Sequence, residues 1–268
     1  MPGASGEPES GARGERDAAY WTARRARLFR LALQASDFPA QTVKALSPAL
    51  EGCTTILDVG AGVGALTVLL AKQGYQVTAL EPKAIMLQEL QESLVRNRLD
   101  NVTCCQAAWD ARVVTPHDLI LVANVAPIFD DLLPFLTEAE PLARRTMALV
   151  QNVGPGSEKF YYGELYPHLL GRPYPGRADY LRTLTLLHSL GVYANTQIIS
   201  YRFDQPFDSF LDAVQFWKEL MRLETADQER RLIAFLEGRL ERVGDRWSAP
   251  MRRRSAVVWW QVASRESV

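Results

Sequence analysis

Three closely spaced glycines follow an apolar segment and form a turn with little side-chain cover. The stretch TILDVGAGVGALT begins at Thr55 and contains Gly60, Gly62 and Gly64. Glycine adopts positive φ angles easily and lets a ligand approach the backbone without a Cβ in the way. Gly60, Gly62 and Ala65 also satisfy the G-x-G-x-x-G/A spacing of dinucleotide-binding turns. The glycine spacing alone therefore does not choose between ligand classes.

Asp58 is an acidic residue at the end of the preceding strand, beside this turn. A carboxylate next to a pyrophosphate makes a repulsive like-charge contact, but it attracts the sulfonium and ammonium groups of S-adenosylmethionine (SAM). The helix that begins near Ala65 can direct its N-terminal amides at the carboxylate of the same ligand. Asp58 therefore favours SAM over a dinucleotide.

Glu81 follows the second predicted strand, residues 75–80, and Pro82 ends that strand. A carboxylate in this position can accept hydrogen bonds from both hydroxyls of a ribose. Ligands of open α/β sheets bind at the carboxyl ends of the strands, where Asp58 is also expected. We therefore predict that Glu81 binds the ribose of the same ligand.

Strand and helix patterns alternate through the middle of the chain. Apolar segments and alternation predict five strands, at residues 54–59, 75–80, 102–105, 117–123 and 146–150. Helical segments connect them, which predicts a doubly wound, Rossmann-like parallel sheet. Two more strands, at residues 192–203 and 255–262, enclose one or two amphipathic helices predicted within residues 207–241.

These patterns divide the chain into five parts. Residues 1–18 are rich in Gly, Pro, Ser and Glu and predict a disordered tail. Residues 19–53 predict a helical segment before the core, residues 54–152. Residues 153–190 mix glycine, proline and tyrosine over a span too long for an ordinary connection, so we expect a cap insertion that binds substrate. Residues 191–268 complete the core with a helical segment and the last strands.

The stretch ILDVGAGVGALT, with ALEP, AAWD and ANVAP at successive strand ends, resembles the class I SAM-dependent methyltransferases. The resemblance covers roughly residues 54–150. It implies a seven-stranded, mostly parallel sheet with an antiparallel last strand, SAM as cofactor, and Met86 near the adenine. The residues that it assigns to cofactor binding are Asp58, Gly60, Ala61, Gly62, Gly64, Glu81, Pro82, Ala108, Trp109, Asn124 and Val125.

The sequence departs from the family pattern at two places. An aspartate that commonly binds the adenine amine is replaced or displaced to Asp110. The Asn-Pro-Pro-aromatic motif of amine- and amide-directed members is absent, because the sequence reads NVAP from Asn124. Transfer to an adenine- or glutamine-type acceptor is therefore disfavoured, and O-, N-, S- and C-methylation stay open.

Methyl transfer from a sulfonium is an in-line displacement that needs no acid for the leaving group. Positioning and desolvation can supply most of the catalysis, so the catalytic residue is left unassigned. If a base is required, His168 and Tyr162 in the insertion are candidates. Tyr161, Glu164 and His188 are further candidates.

The predicted function is SAM-dependent methylation of an unidentified, small organic acceptor. One alternative is an NAD(P)-linked oxidoreductase, which Asp58 opposes. The other is a SAM-binding regulatory protein without turnover, which shares the donor pocket and differs only at the acceptor site. The sequence leaves the acceptor, the oligomeric state and the pathway open.

Composition sets expectations for partners and location. The formal net charge of -1 gives no electrostatic footprint for nucleic acid, and the MRRRS run at Met251–Ser255 is expected to be a solvated approach to the last strand. No apolar segment approaches the roughly 20 residues that span a bilayer, so no membrane partner is expected. The odd count of 3 cysteines favours a reducing cytoplasm and core packing, with no metal site.

Overall fold

The computed structural model describes residues 21–154, 156, 158–176 and 179–262, so the predicted tail, residues 1–18, lies outside them. Seven strands form the main sheet. They are β1 (Thr55–Val59), β2 (Gln76–Leu80), β3 (Val102–Cys105), β4 (His117–Ala123), β5 (Ala143–Asn152), β6 (Asn195–Arg202) and β10 (Arg252–Gln261).

The strand order in this sheet is β3-β2-β1-β4-β5-β10-β6. Strands β1 to β5 are parallel to one another, whereas β10 runs antiparallel to both β5 and β6. The predicted Rossmann-like, mostly parallel seven-stranded sheet with an antiparallel last strand is therefore confirmed.

Ten α-helices are assigned within the described residues. They are α1 (Ala23–Ala35), α2 (Phe38–Ala45), α3 (Ala65–Lys72), α4 (Ala84–Asn97), α5 (Ala126–Asp130), α6 (Leu132–Ala139), α7 (Tyr162–Leu170), α8 (Tyr180–Ser189), α9 (Phe210–Met221) and α10 (Ala226–Glu237). None of the helices in the described ranges is long and apolar enough to cross a membrane.

Helices cover both faces of the sheet, because successive strand residues point to opposite sides. Ile56 and Leu121 pack on one side with α1, α2 and α3. Leu57 and Ile120 pack on the other side with α6 and α8. Cys104 and Cys105 also pack into different clusters, as the alternation of their strand predicts.

The strand register brings the carboxyl ends of the central strands to one edge. Val59 at the end of β1 is level with Leu80 of β2 and with Val122 of β4. Ala123 of β4 is level in turn with Val150 of β5. The segments that follow these strands therefore share one edge of the sheet.

A second, smaller unit is built around aromatic side chains. Strands β7 (Gln205–Phe207), β8 (Glu241–Val243) and β9 (Arg246–Ala249) form a separate sheet in the order β7-β9-β8. Trp217 of α9 is completely buried in its core. We call this sheet, with α7, α9 and α10, the accessory unit. One or two helices were predicted in this region, but this sheet was not.

Helix α1 joins the main sheet to the accessory unit. On one side, the Arg30 guanidinium lies 2.5 Å from the Glu89 carboxylate of α4. On the other side, Arg24 contacts Asp212 of α9 at 2.5 Å. Leu28 is buried in the aromatic cluster of the accessory unit. This amphipathic helix thus contacts both parts of the molecule.

The segment predicted as a cap, residues 153–190, contains two helices with different neighbours. Helix α7 packs in the accessory unit, where Leu165 is completely buried. Helix α8 packs on the main sheet through Leu187, and its Thr183 hydroxyl donates to Gln151 Oε1 at 2.7 Å. The boundaries of a cap domain remain a prediction.

The expectation that the MRRRS run is solvated is wrong for three of its five residues, Met251, Arg253 and Ser255, which are buried. Arg253 is 8% exposed, and its guanidinium lies 3.9 Å from the centre of the Phe203 ring and 4.9 Å from that of Phe160. Arg252 and Arg254 on either side are exposed. The alternation of β10 therefore turns the middle side chain inward, where aromatic rings stabilise its charge.

Candidate functional site

The turn after β1 is fixed by hydrogen bonds to the neighbouring strand. The amides of Gly60 and Ala61 both donate to the Leu80 carbonyl, at 2.8 and 2.9 Å. The Gly64 amide donates to the Ala61 carbonyl at 2.9 Å. The turn is therefore held against the end of β2 before α3 begins.

At two positions of the turn, both the positive φ angle and the lack of room for a Cβ require glycine. Gly60 has φ +73°, and a Cβ added there would lie 2.4 Å from Val125 Cγ2. Gly64 has φ +81°, and its Cβ would lie 2.1 Å from Leu90 Cδ1. Side chains from two other segments thus pack against the bare turn. The predicted need for glycine has a structural cause at these positions.

Asp58 lies beneath the turn, where it is 2% exposed. The Thr67 hydroxyl of α3 donates to Asp58 Oδ2 at 2.6 Å. Burial raises the pKa of Asp58 to about 6, the Thr67 hydrogen bond opposes this change, and the nearby Glu81 charge adds to it. A positively charged ligand in the turn would favour the ionised form of this carboxylate. Sequence reasoning missed Thr67, although it is a polar residue of the same glycine-rich stretch.

Glu81 connects the glycine turn to the start of α4. Its Oε2 accepts the Gly62 amide at 2.9 Å, and its Oε1 accepts the Lys83 amide at 2.8 Å. Burial raises the pKa of Glu81, and the two amides act in the opposite direction. Each carboxylate oxygen has a further lone pair for another donor. Glu81 can therefore bind two hydroxyls while it holds the turn.

The residues predicted near the adenine are partly brought together. Met86 is 3% exposed, and its Cε lies 3.6 Å from the Cβ position at Gly62. Pro82 and Ala108 are exposed. Of these residues, the structure thus brings Met86 next to the glycine turn.

Trp109 is held by α6. Its indole N–H donates to Glu138 Oε2 at 2.9 Å, and its ring meets Phe135 edge-on at 4.8 Å. The neighbouring Asp110 forms hydrogen bonds with the Arg112 side chain and amide, which lower the pKa of Asp110 to about 2. Both polar groups therefore have protein partners.

Asn124 and Val125 follow β4 at the same edge. Asn124 has a backbone φ angle of 56°, which is uncommon for residues other than glycine. Its backbone amide donates to the Val150 carbonyl at 2.8 Å. The Asn124 side chain is exposed. Val125 packs over Gly60. The structure thus places both residues next to the glycine turn.

Three of the candidate bases lie on outer positions of helices. His168 is exposed, with its ring 6.2 Å from that of Phe235. Glu164 pairs with Arg239. His188 is exposed and meets Tyr193 at 5.3 Å. Across the described residues, no hydrogen bond or ring contact joins these three to the glycine turn.

The two tyrosine candidates lie at the start of α7. The Tyr161 hydroxyl donates to the Pro250 carbonyl at 2.8 Å, and burial raises the pKa of Tyr161 above its ordinary value. Tyr161 thus remains protonated at neutral pH and is a poor base. Tyr162 stacks on Tyr174 with ring centres 4.9 Å apart.

Comparisons with known proteins find a methyltransferase domain and one long relative. Residues 56–144 match the family described as methyltransferase domain. An uncharacterized protein of Haemophilus influenzae is 24% identical over 213 residues, which are 77% of this chain and 76% of that protein.

Solved structures share the fold. A candidate methyltransferase from Bacillus halodurans has a TM-score of 0.51 and 18% identity, with 83% of this chain and 97% of that chain covered. The YcgJ protein from Bacillus subtilis has a TM-score of 0.49 and 16% identity, with 82% and 97% covered. Residues 56–144 thus match a methyltransferase domain, and the seven-stranded sheet shares its fold with the Bacillus halodurans structure.

Proposed function

We propose that this chain transfers the methyl group of SAM to a small organic acceptor. The observation that carries the proposal is the Glu81 carboxylate, which receives one amide from the glycine turn and one from the start of α4. A carboxylate that can accept ribose hydroxyls thus lies beside a bare backbone turn, which supports the proposal. It fits a ligand that joins a ribose to a charged amino-acid end.

The proposed donor site assigns separate tasks to its residues. Glu81 accepts the ribose hydroxyls, and Asp58 favours the positive charges of the methionine end from beneath the turn. Gly60 and Gly62 supply a backbone that the ligand can approach closely. The other proposed donor-site residues are Ala61, Gly64, Pro82, Ala108, Trp109, Asn124 and Val125.

SAM supplies an electrophilic methyl group on a sulfonium. The acceptor's lone pair forms the new bond to the methyl carbon, the electrons of the broken C–S bond return to sulfur, and S-adenosylhomocysteine leaves. The proton released by an O–H, N–H or S–H acceptor passes to water. The protein needs chiefly to align the two reactants and exclude competing water.

Charge and composition support a small acceptor. The net charge of -1 gives no general attraction for a polyanion, which disfavours nucleic acid as the acceptor. The segment after β5 instead presents half-buried aromatic side chains.

The cysteines bear on the proposed location. Cys53, Cys104 and Cys105 are free thiols in the structure, which supports a reducing, cytoplasmic setting.

The experiment is transfer of a labelled methyl group from SAM to separated cell fractions. We expect unlabelled S-adenosylhomocysteine to form, and the label to appear in a low-mass product that is separated from the remaining SAM. Glu81→Ala should slow this reaction at limiting SAM. Glu237→Ala is the matched control, because Glu237 is exposed on α10. Label confined to RNA or protein would overturn the small-acceptor proposal, and no turnover in any fraction would overturn the proposed activity.

A further inference from the structure

Three tyrosines, two on α7 and one in the segment after it, form a compact aromatic cluster. Tyr162 and Tyr174 stack with ring centres 4.9 Å apart and planes 20° from parallel. Tyr166 meets Tyr162 edge-on at 5.5 Å and Tyr174 at 5.0 Å. All three are half-buried, so part of each side chain still faces solvent. We call these residues the tyrosine triad.

Contacts between described residues lead from the carboxyl end of β5 to the triad. The Val153 amide, just after β5, donates to the Arg254 carbonyl at 3.1 Å. The guanidinium of the neighbouring Arg253 lies 4.9 Å from the centre of the Phe160 ring. The Phe160 ring in turn meets Tyr162 edge-on at 5.9 Å. The triad is therefore connected to the edge at which β4 and β5 end.

The backbone that carries the triad is held in an uncommon conformation. Phe160 and Tyr161 have φ angles of 53° and 59° in succession, which costs energy for side chains of this size. The Trp217 indole donates to the Phe160 carbonyl at 3.0 Å, and the Tyr161 hydroxyl donates to the Pro250 carbonyl. The accessory unit thus fixes the turn immediately before Tyr162.

We propose that the tyrosine triad is the acceptor-binding surface and that it selects flat aromatic acceptors with an anionic substituent. This inference rests on the proposed function. A planar ring can stack on or meet the edge of the exposed tyrosine surface, where a saturated ring of equal size cannot make the same electrostatic contact. The Arg172 guanidinium, 5.8 Å from the Tyr166 ring centre, is exposed and would attract a carboxylate or similar group.

The test compares 2-naphthoate with decahydro-2-naphthoate, a saturated acid of the same charge. Binding is measured by ligand-observed NMR on the full chain saturated with S-adenosylhomocysteine. We expect tighter binding of the aromatic acid by about two- to tenfold, the range of one aromatic pair. Tyr174→Leu should remove this preference, and Tyr174→Phe should keep it. Tyr193→Leu is the control, because Tyr193 is 80% exposed beside α8.

The charge is tested with Arg172→Gln, which should weaken 2-naphthoate but leave 2-naphthalenemethanol unchanged. Equal binding of the two acids to the wild type, no binding of either, or the same loss in Tyr174→Leu and Tyr193→Leu would overturn the inference. Calorimetric binding of S-adenosylhomocysteine to each variant is measured separately. Failure of that binding in the wild type would instead contradict the proposed donor site.

Discussion

The Glu81 carboxylate accepts the Gly62 amide at 2.9 Å, so the acid after β2 is tied directly to the turn after β1. The Lys83 amide bonds to the other carboxylate oxygen. The edge proposed to bind SAM is therefore held by the protein's own hydrogen bonds. Pre-organisation of this kind lowers the entropic cost of binding.

Replacing Glu81 by alanine should weaken SAM binding by roughly 1.5–3 kcal/mol, the range for hydrogen bonds to a charged group. Glu81→Gln should lose less, because its amide oxygen can still accept one backbone N–H. Calorimetric titration with SAM gives both values, and Glu237→Ala should bind as the wild type does. Unchanged affinity in a folded Glu81→Ala protein would remove Glu81 from the site.

Alanine at Gly64 should destabilise the fold more than alanine at Gly74. Both glycines have positive φ, at +81° and +94°, but a Cβ meets Leu90 at the first and nothing within 4 Å at the second. Gly74→Ala should cost about 1–2 kcal/mol of backbone strain. Gly64→Ala should cost a further 1–3 kcal/mol, roughly, from overpacking.

Urea unfolding of the two glycine variants measures this difference. Leu90→Ala removes the clashing side chain, so the double variant with Gly64→Ala should be more stable than the sum of the two single changes predicts. Equal stability of Gly64→Ala and Gly74→Ala would mean that Leu90 does not pack against the turn.

SAM binding should strengthen as the pH rises from about 5 to about 7. Burial raises the pKa of Asp58 to about 6, so the group loses its proton over this interval. A cationic ligand favours the ionised form, and the gain should be several-fold. S-Adenosylhomocysteine lacks the sulfonium charge and should show a smaller dependence. Parallel pH profiles for the wild type and Asp58→Asn would contradict this role of Asp58.

The ligand-free protein, in contrast, should become less stable as the pH rises. The folded pKa of Asp58 lies above the ordinary value of 3.8, so the native state binds more protons than the unfolded state between the two values. Ionisation of Asp58 should therefore lower the free energy of unfolding by roughly 2–3 kcal/mol as the pH rises from about 4 to about 6. Denaturant unfolding should show that Asp58→Asn lacks this loss. The same decline in both proteins would assign it to other groups.

The Arg30–Glu89 pair should couple α1 to α4 more strongly than a surface pair does. Its side chains are 20% and 16% exposed, whereas those of Arg96 and Glu92 are 47% and 51% exposed. A double-mutant cycle with glutamine substitutions should give a coupling free energy of about 1 kcal/mol for Arg30–Glu89. The same cycle should give roughly 0.3–0.5 kcal/mol for Arg96–Glu92. Equal values would show that partial burial does not strengthen the contact.

The main sheet could be predicted, and the donor site could be proposed, because their signals are local. The glycines and Asp58 lie within one short stretch, and the strand and helix periods alternate clearly from residue 54 to residue 150. The packing of Val125 on Gly60 and of Leu90 on Gly64 joins distant segments. No local pattern contains such a contact, so only the fold reveals why these glycines are required.

The accessory unit was only partly predictable. Helices α9 and α10 have clear amphipathic patterns, but β8 is exposed along its whole length and lacks apolar alternation. The Gly244–Asp245 pair between Val243 and Arg246 is a hairpin signal that could have indicated β8 and β9. The inward position of Arg253 depends on Phe160 and Phe203, which come from distant parts of the chain.

The most direct test of the account is parallel calorimetric titration of the purified chain with SAM, S-adenosylhomocysteine, NAD and NADP. The account predicts binding of the two sulfur nucleosides and none of the dinucleotides, with the SAM affinity reduced by Glu81→Ala. Binding of NAD or NADP alone would show that the glycine turn holds phosphates, and would contradict the assignment of Asp58 to a cationic ligand.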